Sequence, residues 1–143
     1  MQWEPAHRDD GPSIAELRVD VLRESLERVG RFDATRARAY FLSAFAPEFT
    51  RVLRGPDGIL GSIAVRPSPE GTWIEHFYLA RTLQGTGRGG ALLADTTRAA
   101  DTNGTTLLLN VLVGSGARRL YERHDFVEDH VDGVDVIMSR PPR

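Results

Sequence analysis

The chain has 143 residues, no cysteine and a formal net charge of −2 at pH 7. A chain of this length is expected to form one domain, residues 1–143, since it can bury about two thirds of its unfolded surface. The absence of cysteine excludes disulfides, thiolate metal ligands and a cysteine nucleophile. The slightly acidic balance disfavours nucleic-acid binding, which usually needs a clustered basic face. No apolar run reaches about 18 residues, so no membrane span is expected, and the N-terminus lacks a signal-peptide layout; the expected compartment is the cytoplasm.

The first third of the chain predicts two helices. Apolar residues recur every three or four positions from Ile14 to Val29, and Ser13, the predicted N-cap, has Glu16 at the spacing of a capping box. Gly30 is a natural stop for this helix. A second helix is predicted from Asp33 up to Pro47, which cannot continue it.

The rest of the chain predicts mainly strands. In chain order, and including a short strand at the N-terminus, the predicted elements are strands over 2–4, 49–54, 59–65 and 72–79, a helix over 87–103, a strand over 105–113, a short helix over 117–124 and a hairpin formed by 126–131 and 134–138. The run at 105–113 is apolar throughout, which is typical of a parallel strand buried on both faces after a crossover helix. In the strand over 72–79, simple alternation places Glu75 and Leu79 on one face and His76 on the other.

A glycine-rich turn, Gln84 to Gly90, joins that strand to the following helix. Backbone N–H groups, the positive end of the helix dipole and Arg88 would surround a small anion there. The glycines fit the dinucleotide-binding string G-x-G-x-x-G, but that site needs an acidic residue at the end of the next strand, where Asn110 stands. The same residues fit a second string, Gln84-x-x-Gly87-x-Gly89, better than they fit the dinucleotide-binding string. A glycine-rich turn without a ligand is the remaining alternative.

A second signal lies in the short helix predicted over 117–124. The segment matches the pattern N-x-x-A-x-x-x-Y-E-x-x-G-F at four positions, namely Ala117, Tyr121, Glu122 and Phe126. Gly114 replaces the asparagine, and Asp125 replaces the glycine. Asp125 must therefore adopt a turn geometry that glycine adopts most easily.

The two strings together resemble the landmarks of the GCN5-related N-acetyltransferase (GNAT) superfamily, in which Q/R-x-x-G-x-G/A follows a strand and opens a helix. The resemblance implies an α/β (α+β) fold with a mixed, mostly antiparallel central sheet, a splayed parallel strand pair and flanking helices. It implies an acetyl-CoA-dependent N-acetyltransferase that moves the acetyl group to a primary amine of a small molecule or peptide by direct transfer, without a metal. A non-catalytic acyl-CoA-binding sensor or interaction protein on the same fold is the alternative, and a homodimer remains open.

The resemblance also assigns site residues. The residues expected to bind the cofactor are Phe77, Tyr78 and Leu79, whose backbone pairs with the pantetheine arm, and Gln84, Gly85, Thr86, Gly87, Arg88, Gly89 and Gly90 around the pyrophosphate. A backbone N–H of the strand, that of Leu79, is expected to polarise the thioester carbonyl. Tyr121 is the expected general acid for the departing thiolate.

The amine must lose a proton before it attacks, and Glu75 is the expected general base. Two alternatives stay open: Glu75 as a ligand of the substrate cation, and His76 as the base, since histidine titrates near neutral pH. Four aromatic residues, Tyr40, Phe41, Phe45 and Phe49, are expected to be core residues rather than an acceptor pocket. The four histidines lack the spacing of a metal site.

Overall fold

The computed structural model describes residues 2–143. The four α-helices are α1 (Gly11–Arg28), α2 (Ala34–Ala44), α3 (Arg88–Asn103) and α4 (Ala117–Glu122). The seven strands are β1 (Trp3–Pro5), β2 (Thr50–Gly55), β3 (Gly58–Ser68), β4 (Gly71–Leu79), β5 (Leu107–Leu112), β6 (Val127–Asp132) and β7 (Asp135–Arg140). Within the described residues, no helix is long and apolar enough to cross a membrane.

The strands form one sheet in the order β1-β2-β3-β4-β5-β7-β6. β4 and β5 are parallel, whereas the pairings of β1 with β2, β2 with β3, β5 with β7 and β6 with β7 are antiparallel. The parallel register is short, because only Thr72–Ile74 of β4 pairs with Leu107–Leu109 of β5. The predicted mixed, mostly antiparallel sheet with one parallel pair is therefore confirmed.

The chain divides into two compact units, and the division falls within β3 and within β4. The first unit holds residues up to 65 together with 76–84, and its buried cluster includes Ile14, Phe41, Val52 and Tyr78. The second unit holds residues 66–75 and 85–143. Its fully buried side chains include Leu93, Leu107, Leu109, Phe126 and Met138.

Three helices end in the same hydrogen-bonded turn, the Schellman motif. After α1 the motif places Gly30 in the left-handed conformation, with φ of 71°, and after α3 it places Gly104 there, with φ of 65°. After α4 the same position is occupied by Asp125, with φ of 71°. The N–H groups of Phe126 and Asp125 donate to the carbonyls of Tyr121 and Glu122, at 3.2 and 3.1 Å. Asp125 thus has the glycine geometry that the sequence predicted for it.

Two local predictions are wrong. α1 begins at Gly11, two residues before the predicted cap Ser13. The preceding residue, Asp10, makes no cap hydrogen bond; its carboxylate instead accepts from the His7 N–H at 2.7 Å and from Arg54 at 2.8 and 2.7 Å. The hydrogen bond from Arg54 lowers the pKa of Asp10.

The second wrong prediction concerns β5, which is not buried on both faces. Leu107, Leu109 and Val111 are buried, whereas Asn110, between Leu109 and Val111, is exposed.

The left-handed Asp125 gives a stability prediction. We expect Asp125→Gly to raise the free energy of unfolding above that of Asp125→Ala by about 1 kcal/mol, because glycine adopts a positive φ without the clash of a Cβ atom. Both variants lose the carboxylate and its ion pair with Arg143, so the comparison isolates the backbone. Chemical denaturation of both purified variants measures the difference, and equal midpoints would show that no backbone strain is present.

Candidate active site

The N-terminus of α3 has the geometry of an anion site. Gly85 and Gly87 both have positive φ, 78° and 86°. Among the described residues, none apart from the chain neighbours would have an atom within 4 Å of a Cβ atom at either position. The first helical hydrogen bond is donated by Ala91 to Gly87, at 3.0 Å. The N–H groups of residues 88–90 therefore have no acceptor within the helix and point out of its N-terminal end.

The loop before this helix is tied to the end of β4. The side-chain amide of Gln84 donates to the carbonyl of Leu79, at 3.0 Å. The backbone of Ala80 donates to the carbonyl of Leu60 in β3, at 2.8 Å. The loop residues Gln84, Gly85, Thr86 and Gly87 are exposed, whereas Gly89 is buried and Arg88 and Gly90 are half-buried. Gln84 thus has a visible structural role, which is to fix where the loop leaves the strand.

β4 is irregular just beyond its parallel register. His76 has φ of 51°, which is rare for a non-glycine residue and interrupts the extended backbone of the strand. Its carbonyl is turned to accept from the hydroxyl of Ser62, at 2.7 Å, and Ser62 is fully buried. The two-residue alternation predicted for this strand therefore cannot be carried from Glu75 through His76 to Leu79.

Glu75, the expected base, is held by an arginine. Arg66 of β3 donates through Nε to one carboxylate oxygen of Glu75 and through Nη2 to the other, at 2.8 and 3.2 Å. The side chain of Glu75 is 33% exposed and that of Arg66 is 41% exposed. This fork fixes the orientation of the carboxylate and leaves each oxygen one further lone pair.

His76 and Tyr78 meet two helices of the first unit. The His76 ring lies edge-on to Phe41, with centroids 4.9 Å apart, and its Nδ1 is 3.1 Å from the Tyr78 hydroxyl. Arg18 of α1 donates through Nη1 to the same hydroxyl, at 2.5 Å, and its guanidinium lies 4.8 Å from the centroid of the Tyr40 ring. The structure thus brings the predicted residues Tyr78 and His76 together with an arginine.

Arg18 was not predicted as a site residue, although the sequence contains a signal for it. It lies four residues after Ile14, on the face of α1 that carries the apolar residues, where a charged side chain needs a partner. The core assignment of the aromatic residues was correct for Phe41, which is fully buried, but wrong for Tyr40 and Phe49, which are 58% and 40% exposed.

Tyr121, the expected general acid, is positioned by the turn that follows α4. Its side chain is 8% exposed, and its ring packs at 63° against the Phe126 ring, with centroids 6.0 Å apart. The buried Arg140 of β7 anchors this turn by donating to the carbonyl of His124, at 3.0 Å. Arg140 also donates to Asp101 of α3, and this hydrogen bond lowers the pKa of Asp101 to about 2.

A surface cavity of about 410 Å³ lies elsewhere in the first unit, lined by Pro5, Ala6, Pro47, Glu48, Phe49, Thr50, Arg51 and Val65. It contains none of the predicted site residues. Among residues 2–143 no cluster of His, Asp and Glu side chains is arranged to hold a metal ion.

Comparisons with known proteins identify the family and the fold. The sequence model of the acetyltransferase (GNAT) domain matches residues 47–128, which include the glycine loop and Tyr121. A search of curated protein sequences finds no significant match. The structure is similar to PH1933 from Pyrococcus horikoshii OT3, with 24% identity, a TM-score of 0.76 and coverage of 99% of this chain and 98% of that one.

Two further solved structures share the fold. One is the PaiA N-acetyltransferase of Thermoplasma acidophilum in complex with coenzyme A, with 13% identity, a TM-score of 0.75 and 98% coverage of both chains. The other is the ribosomal-protein-S18-alanine N-acetyltransferase of Escherichia coli, with 18% identity, a TM-score of 0.70 and coverage of 98% of this chain and 92% of that one. Since the family match spans more than half of the sequence, the chain belongs to the GNAT family of acetyltransferases and is an N-acetyltransferase.

Proposed function

We propose that the protein transfers an acetyl group from acetyl-CoA to a primary amine of a small molecule or peptide, directly and within a ternary complex. The observation that carries this proposal is the open N-terminus of α3, which the chain enters through two glycines with positive φ, Gly85 and Gly87, in the loop that follows β4. Outward-pointing N–H groups at a helix N-terminus are suited to the negative charge of a pyrophosphate.

Holding the donor is the first task of the site. The backbone N–H groups from Gly85 to Gly90 bind the pyrophosphate, and Arg88 adds a positive charge. The pantetheine arm lies along the backbone of Phe77, Tyr78 and Leu79, beyond the point where the β5 register ends at Ile74. A backbone N–H of this segment, that of Leu79, polarises the thioester carbonyl.

The transfer step needs three proton movements. The ammonium group of the acceptor first loses a proton, for which Glu75 is the proposed base, oriented by Arg66. The amine nitrogen then bonds to the acetyl carbonyl carbon, becomes positively charged and loses its second proton to water. The carbon–sulfur bond breaks as Tyr121 donates a proton to the departing thiolate, and the tyrosine then recovers a proton from water. A thiolate is already a fair leaving group, so the tyrosine contributes moderately rather than decisively.

The overall activity is tested by the release of free thiol from acetyl-CoA across a panel of primary amines. We expect thiol release with at least one class of amine and a rise in melting temperature with coenzyme A. Stabilisation by coenzyme A without thiol release from any amine would favour the alternative, a non-catalytic acyl-CoA sensor. Stabilisation by NAD but not by coenzyme A would show that the glycine loop binds a dinucleotide.

The glycine loop is tested by Gly87→Ala. Within the part of the chain that the structure describes, the added Cβ would lie within 4 Å of no residue except its chain neighbours. It would therefore occupy the open space proposed for the pyrophosphate, and we expect coenzyme A to bind at least about tenfold more weakly. The matched control is Gly104→Ala at the other end of α3, where φ is 65° and the surroundings are equally open. Both variants strain the backbone, but only Gly87→Ala should weaken binding in calorimetric titration; equal affinities would place the pyrophosphate elsewhere.

Tyr121→Phe tests the general acid. The ring stays packed against Phe126, so only the hydroxyl is removed. We expect kcat to fall by about 10- to 100-fold, with little change in the KM for acetyl-CoA, because the proton is needed only as the thiolate departs. An unchanged kcat would leave Tyr121 with a packing role alone.

Glu75→Gln separates the two roles left open for this residue. Glutamine keeps the size of the side chain but cannot accept the proton, so a base role predicts a fall in kcat of about 100-fold or more. A role as a ligand of the substrate cation predicts a higher KM for the amine with kcat retained. Steady-state rates at varied amine concentration distinguish the two, and unchanged values of both constants would remove Glu75 from the site.

A further inference from the structure

Arg18, Tyr40, His76 and Tyr78, here called the Arg18 cluster, form a charged and aromatic group on one face of β4. The Arg18 guanidinium is 4.8 Å from the centroid of the Tyr40 ring and 5.9 Å from that of Tyr78. The centroids of the Tyr40 and His76 rings are 6.2 Å apart. All four residues belong to the first unit, so the cluster is a property of that unit alone.

The positive charge of Arg18 has no carboxylate counterpart among the described residues. The acidic residues two positions before and after Arg18 on α1 are paired with other arginines: Glu16 with Arg38 at 2.6 Å and Asp20 with Arg81 at 3.6 Å. The Nε of Arg18 is buried and has no hydrogen-bond partner within residues 2–143. A buried, unsatisfied N–H of a charged group is costly, and such groups are usually paired.

The aromatic rings explain how the protein tolerates this charge without a carboxylate. A guanidinium is stabilised over aromatic faces and is less strongly hydrated than an ammonium group. Tyr40 covers the guanidinium but is itself 58% exposed, so its ring can move aside with little loss of packing. The site is therefore built for a planar anion that accepts hydrogen bonds from a guanidinium fork, which is the chemistry of a carboxylate.

The cluster also lies close to the proposed transfer point. His76 and Tyr78 flank Phe77 in the strand segment proposed to hold the pantetheine arm, and three residue steps of at most about 3.4 Å each separate His76 from Leu79. A small molecule with an amine at one end and a carboxylate at the other spans such a distance.

From these observations we infer that the Arg18 cluster binds a carboxylate of the acceptor, so that the preferred substrates are amines that also carry a carboxylate group. This inference rests on the proposed acetyl transfer and narrows its substrate class. Arg18 binds the carboxylate, Tyr78 orients the guanidinium through its hydroxyl, and Tyr40 packs over the ligand.

The test compares acceptors that differ only in the carboxylate: γ-aminobutyrate with n-butylamine, and ε-aminocaproate with n-hexylamine. For the wild type we expect kcat/KM, measured by thiol release, to be about 10- to 100-fold higher for at least one amino acid than for its matched amine, mainly through KM. Arg18→Gln should reduce this ratio to near one. Arg18→Lys, which keeps the charge but loses the fork, should retain part of it.

The matched control is Arg23→Gln. Arg23 lies on the same helix and also stacks on an aromatic ring, with its guanidinium 4.8 Å from the centroid of the Phe32 ring, but it is paired with Glu27 at 3.3 Å. Its replacement should leave the ratio unchanged. A rise in melting temperature with coenzyme A verifies that each variant is folded.

The possible results separate this inference from the proposed function. Thiol release with the plain amines at the same efficiency as with the amino acids, or a preference that survives Arg18→Gln, overturns the inference and leaves acetyl transfer intact. A preference for a diamine such as cadaverine over the amino acids overturns it as well, since a cation would then be the recognised group. If no acceptor yields thiol release, both the proposed function and this inference are overturned.

Discussion

The short parallel register between β4 and β5 is the constraint on which the rest of the site depends. Pairing stops at Ile74 and Leu109, and two residues later the left-handed backbone of His76 interrupts the strand. Such a conformation is strained in a non-glycine residue and persists only where its surroundings hold it, here through the buried hydroxyl of Ser62. The irregularity has two consequences. It ends the simple alternation of the strand, and it turns His76 toward the rings of α2 while Glu75, one residue earlier, is bound by Arg66.

The string that ends in Y-E-x-x-G-F has a direct physical meaning in this structure. It encodes a helix that stops in a Schellman motif, in which the residue before the phenylalanine adopts the left-handed conformation. The phenylalanine N–H then bonds back to the tyrosine carbonyl, and the two rings pack together. The spacing of Tyr121 and Phe126 is therefore a condition for placing the tyrosine. Asp125 tolerates the left-handed conformation, although at a higher free-energy cost than glycine, so the turn keeps its geometry without the glycine of the pattern.

The sequence predicted the order of the elements and the positions of several turns with unusual backbone conformation, but not the contacts that depend on tertiary structure. The glycine loop, the Gly30 stop and the Asp125 turn were accessible because each has a local backbone requirement that only a few residue types meet. The ion pair of Arg66 with Glu75 joins two strands, and Arg18 reaches Tyr78 across 60 residues of sequence, so neither has a local signature. The predicted start of α1 is wrong for the same reason. Asp10 is bound by the distant Arg54, so the local pattern at Ser13 and Glu16 does not decide where the helix begins.

This contrast bears on how the two substrates are recognised. The proposed donor site uses backbone N–H groups, which any residue except proline can supply as long as the glycines allow the turn, and it is therefore visible as a motif. The proposed acceptor site uses side chains from α1, α2 and β4 that meet only in the folded chain. Such an acceptor site has no local sequence motif. One substitution can change the group that it recognises while the glycine loop and the sheet stay the same. An arginine on the apolar face of α1 is therefore more informative about the acceptor than any residue of the glycine loop, because a half-buried cation without a carboxylate partner requires a reason.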